Sequence, residues 1–474
     1  MEENGAYRGL LRQGQNGTSG VPFVIHRGDC LDVLGDMADN SIDSVVTDPP
    51  YGLSSEPDPI EVMRAWVNNE SFLHRKKGFM GHEWDSFVPQ PAYWREVFRV
   101  LKPGGHALVF AGARTQDWMA MSLRFAGFEI RDAIMWVFGS GMPKSLNIEK
   151  ALMAKHSPQS LLWKGWGTAL KPCYEPILLV RKPFRGSVAE SILKNRVGGI
   201  NIDGCRVPTD ETLNGGAYAA KGQRGNSDVF GRAKGMFAPG KTASDKFVQP
   251  SGRWPGNLVH DGSDQVVAGF PESPGQQGDL NASGDGRARV NAVYGKFNAA
   301  RNFFARGDTG SAARFFYCAK PTRAERHEGT GYSATKTTHG ATLRQVENAI
   351  KAEPDGGNTH PTIKPKELMR WLVRMITPPD GVCLDPFAGS GTTGIACMEE
   401  GVQFVGVERE LSYSRIAHAR VSHAFQKVSG KPSAASAKRA AAEFARQKRK
   451  ALGKYRKGEQ MELNGIDLPP NGQV

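Results

Sequence analysis

The stretch GVCLDPFAGSGTTGIACMEEGVQFVGVE, residues 381–408, constrains the fold more than any other part of the chain. An apolar run (VCLD) meets a glycine-rich turn. A helix-length segment (TTGIACMEEG) follows, then a second apolar run (VQFVGVE). Two strands joined through a helix form a parallel βαβ unit. The same alternation runs through the N-terminal third. Residues 24–26 and 42–47 read as strands, with a short helix at 31–37 between them. In YWREVFRVL, Trp94, Val97, Phe98 and Leu101 recur at i, i+3, i+4 and i+7, one face of a helix. Lys102-Pro103-Gly104-Gly105 is expected to stop that helix, with strands at 106–110, 133–138 and 176–180 and a helix near 118–125. After residue 360, KELMRWLVRMI reads as a helix with Pro365 at its first position, and 411–425 as another. The prediction is an α/β fold with a largely parallel sheet covered on both faces.

Charge bears on the partner. The chain has 474 residues, a formal net charge of +13 and a pI near 9.4, which suits a polyanion such as nucleic acid. Residues 425–474 hold eleven Lys/Arg against four Asp/Glu, so this tail alone carries +7. The six cysteines form no CxxC pair and no His cluster has zinc spacing, so no metal site is expected. No apolar stretch approaches membrane-spanning length, and a cytoplasmic setting is expected. Five regions are predicted: a flexible N-terminus (1–20), a first half-core (21–184), a Gly-rich basic region (185–354), a second half-core (355–424) and a basic tail (425–474). Residues 215–310 contain eighteen glycines and little periodicity, which sets the middle region apart from the alternating halves.

Two stretches carry chemistry. The turn LDPFAGSGTTG (384–394) lets backbone approach a ligand after a strand. It lacks the GK[ST] ending of a phosphate-binding loop and the GxGxxG of a dinucleotide fingerprint. Glu408 ends the next strand, where a carboxylate can accept both hydroxyls of a ribose. Asp385, Gly389, Gly391 and Glu408 together suggest a nucleoside-containing cofactor. The second stretch is TDPPYG (47–52). Asp48 ends an apolar strand, and two prolines fix φ twice and remove two donors, leaving carbonyls free to accept. A carboxylate plus a rigid carbonyl can hold both hydrogens of an exocyclic amine. Tyr51 offers a face for a base to stack on.

These motifs resemble the S-adenosylmethionine-dependent DNA amino-methyltransferases of the β arrangement, the DPPY-type adenine-N6 and cytosine-N4 enzymes. In that family the catalytic motif comes first, a target-recognition region follows, and the DPFAGSGTT-type cofactor motif comes last. GDCLDVL (28–34), LKPGG (101–105), HPTIKP (360–365) and VGVERE (405–410) extend the resemblance over about 21–184 and 355–424. It implies a Rossmann-like methyltransferase sheet in circularly permuted motif order, with 185–354 as the inserted target-recognition region. It implies that Asp48, Pro49, Pro50 and Tyr51 hold the amine and stack on the base. It assigns Asp29, Cys30, Thr362, Lys364, Asp385, Pro386, Phe387, Ala388, Gly389, Ser390, Gly391, Thr392, Thr393 and Glu408 to S-adenosylmethionine. Within that set Asp29 lies near the adenine, Glu408 takes the ribose, and Thr362 and Lys364 help hold the methionine end. The implied activity is site-specific methylation of adenine N6 in double-stranded DNA with base flipping, within restriction-modification or as a solitary methylase. Homodimerisation stays open. Cytosine N4 is the alternative target. An RNA or protein-amide methyltransferase comes third, disfavoured by Asp48 where those tend to carry Asn, beside a catalytically inactive DNA-binding regulator.

Overall fold

In a computed structural model of the chain, the described residues are 22–74, 76, 78, 83–141, 143, 145–209, 250–273, 289–291, 295–297, 309–320, 322, 324–330 and 357–430. The expectations for residues 1–20, for most of 210–354 and for the tail beyond 430 lie outside them.

Nine strands form one sheet: β1 (Phe23–Arg27), β2 (Ile42–Thr47), β3 (Leu101–Phe110), β4 (Glu129–Val137), β5 (Tyr174–Arg181), β6 (Leu258–His260), β9 (Tyr317–Cys318), β10 (Val382–Asp385) and β11 (Gln403–Glu408). A separate hairpin pairs β7 (Arg289–Asn291) with β8 (Gly295–Phe297). The sheet order is β1-β11-β10-β2-β3-β5-β4-β6-β9. Only β5 runs antiparallel to its neighbours β3 and β4. Among the described residues the first strand pairs with the last, Arg27 opposite Glu408. The permuted order therefore closes into a continuous sheet. Strand order departs in both directions from the β10/β2 junction, and at such switch points the carboxyl ends of the strands leave a crevice for ligands. β10 ends there at Asp385, and Asp48 follows the last residue of β2.

Both faces are covered, as the alternation predicts. On one face helix Lys366–Ile376 buries Leu368, Met369, Trp371, Leu372 and Val373, and helix Thr392–Glu400 is buried over most of its length. On the other, helix Pro91–Val100 buries Pro91, Trp94, Val97 and Val100. Its start is set by Pro91, whose missing N–H is needed by no helical acceptor. Each fully buried side chain of this size contributes about 1.5–3 kcal/mol by leaving water.

Three details differ from the sequence reading. LKPGG belongs to β3 instead of forming a stop. Its register against β2 shifts between Ile42 and Ser44, and that irregularity accommodates Pro103. Pro365 precedes helix Lys366–Ile376 as its cap, one position earlier than expected. Finally, the region 185–354 supplies β6 and β9 to the central sheet. Cys205, Val259 and Ala319 from this region are buried in the core with Trp371, whose Nε1 donates to Cys205 O at 3.1 Å. Strands of two and three residues leave too few alternating positions for a periodicity signal.

Candidate active site

β2 is buried at all six positions and delivers Asp48 to the carboxyl edge of the sheet. The turn after it is held from outside. Asp85 Oδ1 accepts the backbone N–H of Tyr51 and of Gly52, each at 2.9 Å. Thr115 Oγ1 donates to Tyr51 O at 2.6 Å. Two prolines leave this turn few donors, so a buried carboxylate gathering the remaining ones fixes its path.

Asp48 is met by a residue from 316 positions later in the chain. Lys364 Nζ donates to Asp48 Oδ2 at 2.6 Å and lies 3.4 Å from Glu175 Oε2. Glu175 also accepts from the Tyr51 hydroxyl at 2.9 Å. The ammonium sits over the Tyr51 ring at 5.3 Å and the Phe110 ring at 5.0 Å. Burial alone would lower the Lys364 pKa. The adjacent Asp48 and Glu175 carboxylates outweigh it and raise the pKa, so the ammonium stays charged. Burial, then Asp48 and Glu175, push the Tyr51 phenol well above its usual range, so it remains a neutral donor. Asp48 Oδ1 is buried and has no hydrogen-bond partner among the described residues. A buried acceptor without a partner among the described residues costs free energy and calls for an explanation.

The glycine turn stands next to it. Gly389 and Gly391 adopt φ +53° and +79°, the left-handed region that favours glycine. A Cβ at Gly389 would lie 2.9 Å from His360 Nε2, and one at Gly391 would lie 3.0 Å from Ala417 Cα. The Gly389 N–H donates to Glu408 Oε2 at 2.9 Å, and the Glu410 N–H to Glu408 Oε1 at 2.8 Å. Each Glu408 oxygen thus accepts one backbone donor and keeps a lone pair for a diol. Burial raises the Glu408 pKa to about 7. Asp29 lies at the end of the neighbouring strand and caps helix Cys30–Gly35 through the Leu31 N–H. Burial pushes the Cys30 thiol up to about 12, so it is neutral.

Several residues assigned to the cofactor have their polar atoms engaged within the protein. Asp385 Oδ1 accepts from Thr47 Oγ1 at 2.7 Å and from the Phe387 N–H at 3.1 Å, while Oδ2 accepts from Thr393 Oγ1 at 2.6 Å. Asp385 is 2% exposed. Its place is under the turn, which it shapes, and Thr393 serves it. Ser390 and Thr392 face Arg420. Arg420 Nη1 donates to Ser390 O at 2.6 Å, Ser390 Oγ at 2.9 Å and Thr392 Oγ1 at 3.3 Å, and Nη2 donates to Glu325 O at 3.0 Å. Phe387 packs against Trp94 and Tyr93, with ring centres 6.1 and 6.5 Å apart. Lys364 bonds Asp48, whereas the resemblance set it at the methionine end. Thr362 is exposed, and its carbonyl accepts from His360 Nδ1 at 2.7 Å. Burial lowers the His360 pKa to about 4, leaving a neutral ring.

Sequence reasoning missed Glu175, Asp85, Arg420 and His360. Glu175 had a signal: it is the only charged residue among the first seven of β5, YEPILLV. Arg420 had one too, since it shares the buried face of its helix with Ala417, Val421 and Ala424.

The sheet edge, with a carboxylate oxygen that has no partner among the described residues beside a glycine turn, belongs to an α/β fold of the Rossmann-like class. Residues 42–419 match the N6_N4_Mtase family, described as DNA methylase, and the chain belongs to that family. S-adenosylmethionine is the family's cofactor. The Type II methyltransferase M.HindIII of Haemophilus influenzae is 25% identical over 200 residues, 37% of this chain and 64% of that protein. The Type II methyltransferase M.SfiI of Streptomyces fimbriatus is 22% identical over 442 residues, 82% of this chain and 89% of that protein. The chain thus spans less than two thirds of the first relative and most of the second. The solved M1.HpyAVI–SAM complex is 15% identical, with 84% of this chain and 98% of that chain covered at a TM-score of 0.34. A likeness of that size adds nothing to the family match.

Proposed function

We propose that the protein methylates adenine N6 in duplex DNA, with the target base flipped out of the stack. The observation that carries this reading is Asp48 Oδ1, a buried acceptor with no partner among the described residues, at the sheet's switch point beside the glycine turn. An amine donor is what that oxygen lacks. Bound S-adenosylmethionine would supply an electrophilic methyl group. The chain's residues fit it: the Glu408 oxygens have lone pairs for a ribose diol, and the left-handed φ of Gly389 and Gly391 lets the turn bring the Gly389 N–H to Glu408. Asp29, Cys30 and Phe387 frame the nucleoside end, and Asp385 and Thr393 keep the turn in shape.

For the base, Asp48 Oδ1 accepts one amine hydrogen, and a carbonyl of the Pro49-Pro50 step accepts the other. Holding both hydrogens favours a pyramidal nitrogen and frees its lone pair, so alignment supplies much of the rate. The proton lost from the methylated nitrogen passes to Asp48 Oδ1 and on to water. Tyr51 provides the stacking face. Extrusion of the base costs a few kcal/mol, least where the pair is already weakened.

Adenine rests on the resemblance, in which Asp at the first motif position is commoner among adenine enzymes and Ser among cytosine-N4 ones. Cytosine N4 presents the same two hydrogens, so the site chemistry admits either. DNA methylated by the purified protein, digested to nucleosides and weighed by mass spectrometry, decides it. N6-methyladenine is expected. N4-methylcytosine would replace the adenine reading, and no methylated nucleoside would sink both.

A further inference from the structure

We propose that Lys364 and Glu175 form a positioning pair for the amine-binding aspartate, and that neither holds the cofactor. This rests on the reading of Asp48 as the amine acceptor. Asp48 can rotate about its side chain and present either oxygen. Lys364 removes that freedom by engaging Oδ2 at 2.6 Å, which leaves Oδ1 as the oxygen without a partner among the described residues. Lys364 is itself held. Its side chain is 7% exposed, Glu175 Oε2 lies 3.4 Å away, and the Tyr51 and Phe110 rings flank the ammonium. Glu175 does a second thing by accepting the Tyr51 hydroxyl at 2.9 Å, which fixes the ring on which the base would stack. One carboxylate from β5 thus orients both the acceptor and the stacking ring through a single cation and a single hydroxyl.

The charge count supports a fixed device. Two carboxylates around one ammonium leave one net negative charge in a buried site. That charge suits an amine that becomes positive as the methyl arrives. Without Lys364, the half-buried Asp48 and Glu175 would face each other as uncompensated carboxylates, an arrangement that proteins avoid. A lysine serving the methionine end of a cofactor would have its ammonium directed at that ligand's carboxylate. Here it is engaged by Asp48 within hydrogen-bonding distance.

The test uses the full chain and the variants Lys364→Met, Glu175→Gln and their combination. Lys364→Met is expected to lower the single-turnover rate at saturating cofactor and DNA by about 10²-fold or more, with S-adenosylmethionine affinity by calorimetry within about twofold of wild type. Glu175→Gln is expected to lower that rate by about tenfold. The combination should lose little beyond Lys364→Met alone, because the two act as one unit. A second readout needs no turnover: Lys364→Met should lower the thermal midpoint, and adding Glu175→Gln should recover part of it by removing one of the stranded carboxylates. Multiplicative rate losses with no thermal recovery would overturn the pairing. A cofactor affinity weakened tenfold or more in Lys364→Met, with an unchanged saturating rate, would return Lys364 to the methionine end. If the wild type methylates no DNA, the functional reading fails, and the thermal cycle still decides whether the pair exists.

Discussion

Lys364 Nζ lies 2.6 Å from Asp48 Oδ2, and the two residues are 316 positions apart. The contact joins the two half-cores at the reacting edge. It also divides the labour of one carboxylate, because one oxygen is anchored and the other has no partner among the described residues. Asp48→Ala removes both functions and should abolish methyl transfer, by at least about 10³-fold given what single preorganised groups contribute. S-adenosylmethionine affinity should stay near wild type, since Asp48 is assigned to the base. Methyl incorporation into DNA and calorimetry check the two halves. Full activity in Asp48→Ala would end the mechanism.

Glu408 gives cofactor binding a pH dependence. Burial raises its pKa from 4.5 to about 7, so near pH 6 most of it is protonated in the free protein. A ribose diol donates best to an ionised carboxylate. Affinity for S-adenosylmethionine should therefore strengthen as pH rises from 6 to 8 and level off above. Glu408→Gln should bind more weakly at pH 8, by about 1.5–3 kcal/mol for the lost charged hydrogen bonds. Calorimetry at several pH values should find its affinity flat across that range.

Asp385 should govern stability more than binding. It accepts three hydrogen bonds from Thr47, Phe387 and Thr393, and burial raises its pKa to about 6. An acid whose folded pKa is raised favours the fold most when protonated. That contribution is fully present below about 4 and is lost as pH rises through 6. Asp385→Asn should remove this component from the thermal midpoint between pH 4 and 7 while keeping an acceptor for the turn. Asp385→Ala strands three donors and should cost more at every pH, about 1–3 kcal/mol for each donor left buried without a partner. Scanning calorimetry across that range separates the two variants.

The sheet was legible wherever strands were long and apolar. β2, β10 and β11 are such runs, and β1 pairs with β11. The motifs located the edge, because a Pro-Pro step and a Gly-Ser-Gly turn are local signals. What was hidden depends on long-range contact. Nothing around HPTIKP says that Lys364 meets Asp48, since that contact is made by how helix Lys366–Ile376 docks on the sheet. The hydrogen bonds of Asp385 were hidden for a related reason. A carboxylate at a strand end reads as a ligand group until its neighbours are known, and here Thr47 and Thr393 fill it. β6 and β9 were missed because they are too short to alternate.

Arg420 offers the sharpest separation of turn shape from turn chemistry. It is 1% exposed, and burial lowers its pKa to about 10, so it remains charged at neutral pH. Its guanidinium ties Ser390 and Thr392 of the glycine turn to the carbonyl of Glu325. No atom of Arg420 is assigned to cofactor or base. Arg420→Lys keeps the charge but loses the planar fork that reaches several acceptors at once. It should weaken S-adenosylmethionine binding by several-fold through a loosened turn and leave the saturating single-turnover rate within about threefold of wild type. Arg420→Met, which strands Ser390 O and Glu325 O, should also lower the thermal midpoint. The split rests on position: Arg420 supports the turn from the side of its own helix, while Asp48 and Tyr51 stand on the other strand of the switch point. A saturating rate that falls as far as the affinity would mean that the turn's shape reaches the reacting amine, and the division between a binding half and a reacting half would have to be given up.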